Sequence, residues 1–390
     1  MKKKLLMVLL CGAMVCSLAA CGSKDDVTEN TESTEDVELV TGTESEAEAT
    51  YSFEALDPAL YVTTLADYTA IPVSLTGDYA IADEAVNEVL LTLLDNMGLS
   101  TVEVTDRTTV EAGDLVNADY TGYQDGEAFE GGSATDQLLD VDNNCVYGGN
   151  GFIDGFTLGL IGGEVGSTVS SQVTFPEDYG VDTLNGQEVT FEFDINGIYA
   201  PITADDLTDE MVAENFTEDF GVSTKQELLD YIRQYLEDSA VSELVQTYML
   251  ENSVVEVPEE YLEQQLQAYE DTYAANYGGM DNLEYYLSLS GTTLEEVEEQ
   301  WRAGLEESIK LELIFRQIAS EEGMQIDEEG FDRYIDNFLS DSSYGFESEE
   351  DVYNYFGYSD AEYGKVYLQN MYIASGAMEY AISNAVITEE

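Results

Sequence analysis

The residues whose types and spacing could form a reaction site are aromatic residues and glycines, with no basic residue among them. They concentrate in residues 151–180, GFIDGFTLGLIGGEVGSTVSSQVTFPEDYG, which contain one proline, Pro176, and no lysine, arginine or histidine. The whole chain of 390 residues contains no histidine, the usual side-chain base near neutral pH and the commonest metal ligand. Ser–His, Cys–His and histidine-ligated zinc chemistries are therefore excluded, and neither a metal nor a cofactor is expected.

The charge balance excludes a further class of partner. The chain has 82 acidic and 12 basic residues, a formal net charge of −70. Binding to nucleic acid needs a basic footprint, so no nucleic acid is expected as a partner. A surface protein that binds cations, or anionic wall material bridged by calcium, is a hypothesis that the charge alone motivates. No stretch has the EF-hand pattern D-x-[DN]-x-[DN]-G followed by a glutamate at the required offset.

The N-terminus has the pattern of an export signal. Three lysines at positions 2–4 precede an apolar run over residues 5–20, which ends in Leu-Ala-Ala before Cys21. A basic start, a short apolar core and small residues at the cut predict a signal peptide over residues 1–20. The ending resembles a bacterial lipobox, in which Cys21 would be lipidated; ordinary secretion with an incidental cysteine is the alternative. The predicted localisation is the cell membrane, lipid-anchored, facing outside the cytoplasm.

The next segments differ in composition. Residues 21–50 have no aromatic residue and many Glu, Ser and Thr, so they bury too little surface to fold and are predicted to be a disordered acidic tether. Residues 51–110 are predicted to be a small α/β segment, with a helix in ADEAVNEVLLTLLDNMG that ends at Gly98. Residues 111–200 contain alternating segments such as TVSSQVTF and EVTFEFDINGI, which predict a compact, mostly β domain.

Helical periodicity dominates residues 201–390. Leu294, Val297, Trp301 and Leu305, for example, recur at intervals of three and four. The pattern predicts six or seven helices and no strand. Capping boxes mark predicted helix starts, for example at Thr293 with Glu296 and at Ser359 with Glu362.

The β domain resembles the FKBP-type peptidyl-prolyl isomerases. The matching segments occur in the family's order: GDLVNADYTGYQDGEAFEGG (113–132), GGNGFIDGFTLGLIGGEVGS (148–167), TFPEDYG (174–180) and VTFEFDINGI (189–198). The resemblance implies an FKBP-like antiparallel β-sheet wrapped on a short helix, and peptidyl-prolyl cis–trans isomerase activity (EC 5.2.1.8). Rotation about an X–Pro bond faces a barrier of about 18–20 kcal/mol. Since no bond is broken, a chain without histidine can catalyse it.

The family's aromatic cup would be built here from side chains spread over the whole β domain. They are Tyr120, Phe129, Phe152, Ile153, Phe156, Tyr179 and Phe191. The resemblance implies that Phe156 forms the floor and that the Ile153 backbone N–H anchors the peptide. Glu130 matches the acidic position that hydrogen-bonds near the turning carbonyl, and Tyr179 would offer its hydroxyl to the bound chain.

One segment departs from the family pattern. Residues 133–147, SATDQLLDVDNNCVY, are longer and more polar than the family leads us to expect. An aromatic residue that often forms one wall is missing, and Asn143 stands near its place. This departure predicts weak activity or an altered peptide preference.

The order of the segments is similar to that of trigger factor, a family of bacterial folding chaperones. Segments of residues 201–390, including ITADDLTDEMVAENF, are similar to its C-terminal helical domain, in which helices form arms around a cradle for unfolded chains. The predicted fold class is therefore α+β multidomain, with an all-α trigger-factor-type arm domain after the FKBP-like sheet. Ribosome binding is not carried over, because residues 51–110 contain a single basic residue, Arg107.

The predicted function combines these parts. It is a membrane-anchored, extracytoplasmic peptidyl-prolyl isomerase and folding chaperone for exported proteins, with unfolded or proline-containing polypeptides as clients. The alternative is a catalytically inactive FKBP-like holdase that binds unfolded clients through the helical domain. It is motivated by the polar insertion at 133–147.

Overall fold

The computed structural model describes residues 55–341 and 344–388. The predicted signal peptide (1–20), the lipidated Cys21 and the acidic tether (21–50) lie outside the described residues. The described chain forms two compact units. One unit, here the sheet unit, is Ile81–Tyr235; the other, the helical unit, combines the described residues up to Ala80 with those from Leu236 onward. The domain boundaries predicted from the sequence stay a prediction.

The strands outside the sheet unit have two to four residues, and every strand longer than that lies within the sheet unit. They are β1 Val62–Thr64, β2 Ile71–Ser74, β3 Thr101–Glu103, β4 Leu115–Gln124, β5 Glu127–Asp140, β6 Cys145–Val146, β7 Thr168–Thr174, β8 Glu188–Pro201, β9 Val254–Val255 and β10 Ala385–Thr388.

The α-helices concentrate in the second half of the chain. They are α1 Pro58–Tyr61, α2 Asp83–Asn96, α3 Asp209–Asn215, α4 Thr217–Phe220, α5 Lys225–Asn252, α6 Glu259–Asn276, α7 Met280–Leu289, α8 Leu294–Glu321, α9 Glu328–Ser340, α10 Glu349–Phe356 and α11 Ala361–Ser383. Three 3₁₀ helices cover Gly77–Tyr79, Leu158–Leu160 and Ala204–Asp206.

The sheet unit contains a six-stranded antiparallel sheet. Its strand order is β3-β8-β4-β5-β6, and β7 also pairs with β8. Strand β8 follows the two-residue period of a pleated strand: Phe191, Phe193 and Ile195 are buried, while Glu192 and Asp194 between them are exposed. This alternation turns one face of the sheet into the apolar core.

The short helix of the predicted fold is a single 3₁₀ turn, Leu158–Leu160. Leu160 is fully buried. Gly159 packs so closely on β7 that an added Cβ would collide with the Ser170 carbonyl oxygen and would lie 2.5 Å from the Ser171 Oγ. Glycine is therefore required at position 159, although glycine disfavours a longer helix.

Residues 201–390 contain more elements than the six or seven helices predicted, and the prediction of no strand is wrong. Their described part has nine α-helices, α3–α11, and the strands β9 and β10. Strand β9 pairs with β1 in antiparallel fashion, and β10 pairs in parallel with β2. Both partners lie far away in the sequence, so no local hairpin pattern marks these short strands.

The structure confirms one of two predicted helix starts and shifts the other by one residue. The capping box of Thr293 and Glu296 at the start of α8 is confirmed. The predicted box at Ser359 is wrong by one residue, because Asp360 is the N-cap of α11 and accepts hydrogen bonds from the N–H groups of Glu362 and Tyr363. Adjacent Ser and Asp residues are both good N-caps, so the sequence did not decide between them.

The helical unit buries two main apolar clusters. The first joins α6, α7 and α8 through Leu262, Leu266, Ala274, Leu283, Trp301, Leu305, Ile309 and Leu313. The second joins α9, α10 and α11 through Phe331, Tyr334, Ile335, Val352 and Leu368. Most of the predicted apolar stripes of these helices are therefore helix–helix core.

Glu270 on α6 is a buried carboxyl group whose titration lowers the stability of the helical unit at neutral pH. It is 8% exposed. Burial, followed by the charges of Glu298, Asp271 and Glu263, raises its pKa to about 6. A raised folded-state pKa means that the group's contribution to stability is complete below its unfolded pKa and is lost as the pH rises through about 6. We therefore expect Glu270→Gln to increase the free energy of unfolding at pH 8 by up to about 2 kcal/mol.

Urea unfolding at pH 4.5 and pH 8 measures this effect. The advantage of Glu270→Gln over the wild type should be near zero at pH 4.5 and should grow with pH. Glu296→Gln is the control of opposite sign, because hydrogen bonds from Thr293 and Thr292 lower the Glu296 pKa, so its stabilising effect is present above the unfolded pKa and lost as the pH falls. A gap between Glu270→Gln and wild type that does not vary with pH would contradict the prediction.

Candidate active site in the sheet unit

A pocket of about 810 Å³ opens in the sheet unit. All eight residues that the FKBP resemblance singled out line it: Tyr120, Phe129, Glu130, Phe152, Ile153, Phe156, Tyr179 and Phe191. They come from β4, β5, β8 and the connections on either side of β7, so residues up to 71 positions apart, from Tyr120 to Phe191, share one cavity. Their assignment as catalytic residues stays a prediction.

Phe156 is the most deeply buried of the eight resemblance-derived residues that line this pocket. It is 2% exposed. Its ring is stacked on Phe152 at 4.1 Å between centroids, and it meets Tyr120 at 5.0 Å and Phe191 at 4.7 Å in edge-to-face contacts. Edge-to-face and offset-stacked pairs are the favoured arrangements of aromatic rings. The rings therefore hold one another in place and form a rigid apolar surface.

Phe129 forms a wall that two glycines make possible. A Cβ on Gly122 would lie 2.5 Å from the Phe129 Cζ and 2.7 Å from the Phe191 Cε1. A Cβ on Gly132 would lie 2.7 Å from the same Phe129 Cζ. Gly122 faces Phe191 across the β4–β8 ladder. The glycines of this segment thus admit the Phe129 ring, which meets Phe191 edge-to-face at 5.7 Å.

The rim of the pocket is polar and more accessible. Glu130 is exposed, and Tyr179 is 45% exposed with its ring 4.4 Å from that of Phe175. Glu130 and Asp154 are the charged residues among the lining residues, and both are acidic. The site therefore offers hydrogen-bond groups at its edge and apolar surface in its interior.

Two groups inside the pocket are suited to meet a peptide. Burial, and then the neighbouring Tyr179, raises the pKa of Tyr120, so the phenol stays neutral and retains its proton for donation at neutral pH. The backbone N–H of Ile153 makes no hydrogen bond within the part of the chain that the structure describes. A backbone N–H that no internal acceptor satisfies is suited to anchor a carbonyl oxygen of a ligand.

Several lining residues were not singled out from the sequence. They are Gly131, Gly132, Asp154, Thr174, Phe175, Pro176, Val181 and Leu184. Phe175 and Pro176 belong to the segment TFPEDYG, which was itself a family match, so the signal for them was present. Val181 and Leu184 follow that segment, where no motif marked them.

The polar insertion does not place Asn143 at the pocket. Asn143 is exposed, and its side chain donates to Asp140 at 2.8 Å. The neighbouring Asn144 instead reaches the turn that carries Phe152 and Ile153. Sequence reasoning missed Asn144, since two adjacent asparagines carry no signal for which one turns inward.

The chemistry of the pocket follows from what lines it. Within residues 55–341 and 344–388 no group of three or more histidine, cysteine or acidic side chains could hold a metal ion. The lining can take an apolar ring out of water, contact it on several sides and hydrogen-bond the backbone beside it. These are the requirements of a bond rotation.

Two family models match the chain. The model described as FKBP-type peptidyl-prolyl cis-trans isomerase matches residues 106–196, which include the whole pocket. The model described as bacterial trigger factor protein (TF) C-terminus matches residues 213–364.

Curated relatives carry both parts in one chain. Trigger factor of Acetivibrio thermocellus is 29% identical over 333 residues, which cover 83% of this chain and 72% of the relative. Trigger factor of Alkaliphilus oremlandii is 33% identical over 70% of this chain and 62% of its own length. Trigger factor of Caldicellulosiruptor bescii is 30% identical over 80% of this chain and 68% of its own. The chain belongs to the trigger factor family.

A solved structure gives a weaker likeness. It comes from work titled "Promiscuous Substrate Recognition in Folding and Assembly Activities of the Trigger Factor Chaperone". The match covers 81% of this chain and 72% of the chain in the solved structure, with 13% sequence identity and a TM-score of 0.36.

Membership of the trigger factor family decides the coarse function. The chain is a peptidyl-prolyl isomerase of the FKBP type and a folding chaperone that binds unfolded polypeptide clients. The predicted α+β fold class, with an FKBP-like sheet and a helical C-terminal arm, is confirmed.

The predicted localisation is wrong. The cell membrane, with a lipid anchor facing outside the cytoplasm, was inferred from the signal-like N-terminus. The relatives are trigger factors, which are generally cytoplasmic, ribosome-associated chaperones. A membrane partner is not supported, and the residues that suggested it, 1–21, lie outside the described residues. Among the helices that the structure describes, none is both long and apolar enough to cross a membrane.

The expectation about the ribosome stays a prediction. Trigger factors normally bind the ribosome. In this chain the one basic residue of residues 51–110, Arg107, forms an ion pair with Asp114 and donates to the Thr109 carbonyl at 2.6 Å.

Proposed function

We propose that the aromatic pocket of the sheet unit is the site at which the chain isomerises X–Pro bonds, and that it acts by desolvating and twisting the bond. The observation that carries the proposal is the convergence of all eight resemblance-derived side chains on one pocket. The helical unit supplies the chaperone's contact with unfolded clients.

Twisting is helped by the loss of water. The planar amide owes its barrier of about 18–20 kcal/mol to the partial double-bond character of C–N. That resonance form is charge-separated, so an apolar pocket disfavours it relative to water. Phe156, Phe152 and Phe191 provide such surface, with centroid separations of 4.1 and 4.7 Å from Phe156 to the other two. Surface that packs better on the twisted bond than on the planar one lowers the barrier.

Hydrogen bonds at the rim fix the peptide while the bond turns. The Ile153 N–H would hold one backbone carbonyl of the substrate, since it makes no hydrogen bond among the described residues. The neutral Tyr120 phenol and the exposed Tyr179 hydroxyl would donate to the bound chain. Glu130, at the rim, would hydrogen-bond near the carbonyl group that turns, as the FKBP resemblance implies.

The helical unit exposes aromatic surface that fits a client role. Tyr277, Tyr285 and Tyr286 are 37%, 59% and 53% exposed, and Leu289 beside them is 66% exposed. Tyr286 lies 5.5 Å from Tyr277 and 5.7 Å from Tyr285 between ring centroids. Neighbouring exposed apolar groups mark interaction sites. We propose this group, at the C-terminal end of α6 and on α7, as one place where unfolded chains bind.

The test of the site is the rate of cis–trans exchange of a prolyl tetrapeptide with wild-type protein and with Phe152→Ala. Phe152 is half-buried and stacks on the floor residue, so its loss removes pocket surface without removing the floor. We expect kcat/KM to fall at least about tenfold, which corresponds to about 1.4 kcal/mol of transition-state stabilisation.

Leu158→Ala is the matched control. Leu158 lies in the same connection, is 65% exposed and does not line the pocket, so its removal should leave the rate unchanged. Equal rates for Phe152→Ala and the wild type would show that the site lies elsewhere. No acceleration by the wild type itself, combined with suppression of client aggregation, would favour the inactive holdase.

A further inference from the structure

The connection between β6 and the 3₁₀ turn carries three groups of the proposed site on irregular backbone. Residues 151–157 include the Phe152 ring, the Ile153 N–H and the Phe156 floor. No strand or α-helix ladder holds this stretch. Side chains that hydrogen-bond to its backbone therefore add to the few backbone–backbone bonds that set its conformation.

Asn144 provides those bonds. Its Nδ2 donates to the Phe152 carbonyl at 3.1 Å and to the Ile153 carbonyl at 2.9 Å. Its Oδ1 accepts from the Thr157 N–H at 3.0 Å and contacts the Thr157 hydroxyl at 3.1 Å. Its own carbonyl accepts from the Phe152 N–H at 2.8 Å. One residue thus contacts the turn at its beginning, at its middle and at its end.

The two donated bonds determine where the Ile153 N–H points. A trans peptide is planar, with its C=O and N–H pointing in opposite directions. The Phe152 carbonyl and the Ile153 N–H belong to the same peptide unit, so holding the carbonyl on Asn144 directs the N–H away from it. The Ile153 carbonyl belongs to the next unit and is held by Asn144 and also by the Phe156 N–H at 3.2 Å. Both peptide planes that flank Ile153 are fixed.

Asn144 is itself held firmly. Its φ of 52° lies in the left-handed region, which asparagine adopts more readily than most residues. The neighbouring Cys145 forms an antiparallel bridge with Gly151. Thr157, which is fully buried, also contacts the Val141 carbonyl through its hydroxyl at 3.0 Å, and this ties the far end of the turn back to the chain before Asn144.

We propose that Asn144 is a positioning residue for isomerisation: it orients the Ile153 N–H and the Phe152–Phe156 ring pair for the bound peptide. The inference rests on the proposed active site. It gives the polar segment 133–147 a role opposite to the one its composition predicts, because the segment supplies the residue that shapes the cup. Asn144 is not expected to touch the substrate.

The test compares three variants in the full chain. Asn144→Asp keeps the size and an acceptor for the Thr157 N–H but loses both donors and places a carboxylate against two carbonyl oxygens. Asn144→Gly removes the side chain and tolerates the positive φ, which separates the lost bonds from backbone strain. Asn143→Ala is the control, since its side chain bonds to Asp140 outside the turn.

We expect kcat/KM for a prolyl tetrapeptide to fall about tenfold to hundredfold in Asn144→Asp and Asn144→Gly. More of the loss should be in KM than in kcat, because the Ile153 anchor also binds the ground state. The peptide-induced shift of the Ile153 amide resonance should disappear in both variants and persist in Asn143→Ala. Suppression of client aggregation should not change.

The outcomes separate this inference from the proposal on which it rests. A normal kcat/KM in both folded Asn144 variants, with an impaired Phe152→Ala, would overturn the inference and leave the active site standing. Normal rates in Phe152→Ala as well would overturn both. Loss of folding in both Asn144 variants at the assay temperature would overturn it too, since the role of Asn144 would then be structural.

Discussion

Replacing Phe156 with alanine is expected to reduce isomerisation of a prolyl peptide to the thermal rate and to lower the free energy of unfolding of the sheet unit by about 3–5 kcal/mol. Phe156 is 2% exposed and contacts the rings of Tyr120, Phe152 and Phe191. Its removal takes away the surface on which a prolyl ring would lie and leaves a cavity that the rigid neighbours fill only in part. Exchange kinetics and urea unfolding of the same preparation measure the two effects.

Loss of activity must be separated from loss of structure. Leu139→Ala is the matched control, because Leu139 is fully buried in the same core cluster and does not line the pocket. It should cost about 2–5 kcal/mol of stability and leave the exchange rate of the folded protein unchanged. Aggregation suppression should survive Phe156→Ala, since the proposed client surface lies at the C-terminal end of α6 and on α7. An active Phe156→Ala protein that is folded at the assay temperature would exclude this pocket as the site.

The location of the pocket could be predicted from the sequence because its signals are local or ordered along the chain. The alternation of Phe191 and Phe193 with polar residues in β8 follows from the two-residue period of a strand, and the matched segments bring Tyr120 and Phe129 to the same face. The resemblance to the FKBP family identified each of these residues by its position in a matching segment. The assignment therefore did not require the register of the strands. The structure places them around one cavity.

What the sequence did not predict depends on contacts without a local pattern. The role of Asn144 arises from hydrogen bonds to residues 8 to 13 positions away, made by a turn with positive φ. Strand β10 pairs with β2 about 315 positions earlier, so neither strand has a hairpin partner nearby. Composition and periodicity report on residues that are close together along the chain. They carry no signal for specific contacts between residues farther apart.

The sequence also does not show which charged side chains are buried. Helix α8 contains two ion pairs in which a glutamate precedes a base by four residues, Glu306 with Lys310 and Glu312 with Arg316. In the sequence the two are equivalent. In the structure the side chains of the first pair are 41% and 34% exposed, whereas those of the second are 12% and 13% exposed. The second pair is therefore the one whose disruption should be costly.

Arg316→Met is expected to lower the free energy of unfolding of the helical unit by about 3–5 kcal/mol at pH 8. The Arg316 Nη1 lies 2.9 Å from the Glu312 Oε1, and methionine retains the apolar stem while removing this counter-charge. Burial raises the pKa of Glu312, and Arg316 offsets part of that rise; without Arg316 the pKa should rise further. Because the folded-state pKa lies above the unfolded one, the penalty should be small below the unfolded pKa and should grow as the pH rises. Denaturant unfolding at pH 5 and pH 8 measures it.

Two further variants test whether the buried Glu312 charge causes the penalty. Lys310→Met removes the same charge from the exposed pair on the same helix and should cost no more than about 1 kcal/mol. Arg316→Met combined with Glu312→Leu should recover most of the lost stability at pH 8, because a buried ion pair replaced by apolar groups of similar size is often neutral. The tyrosines that the Glu312 charge influences, Tyr261 and Tyr363, are held neutral by burial, so they do not supply a substitute charge. An Arg316→Met penalty equal to that of Lys310→Met would mean that water reaches Glu312. A penalty that does not vary with pH, or that Glu312→Leu does not relieve, would mean that the uncompensated Glu312 charge is not its cause.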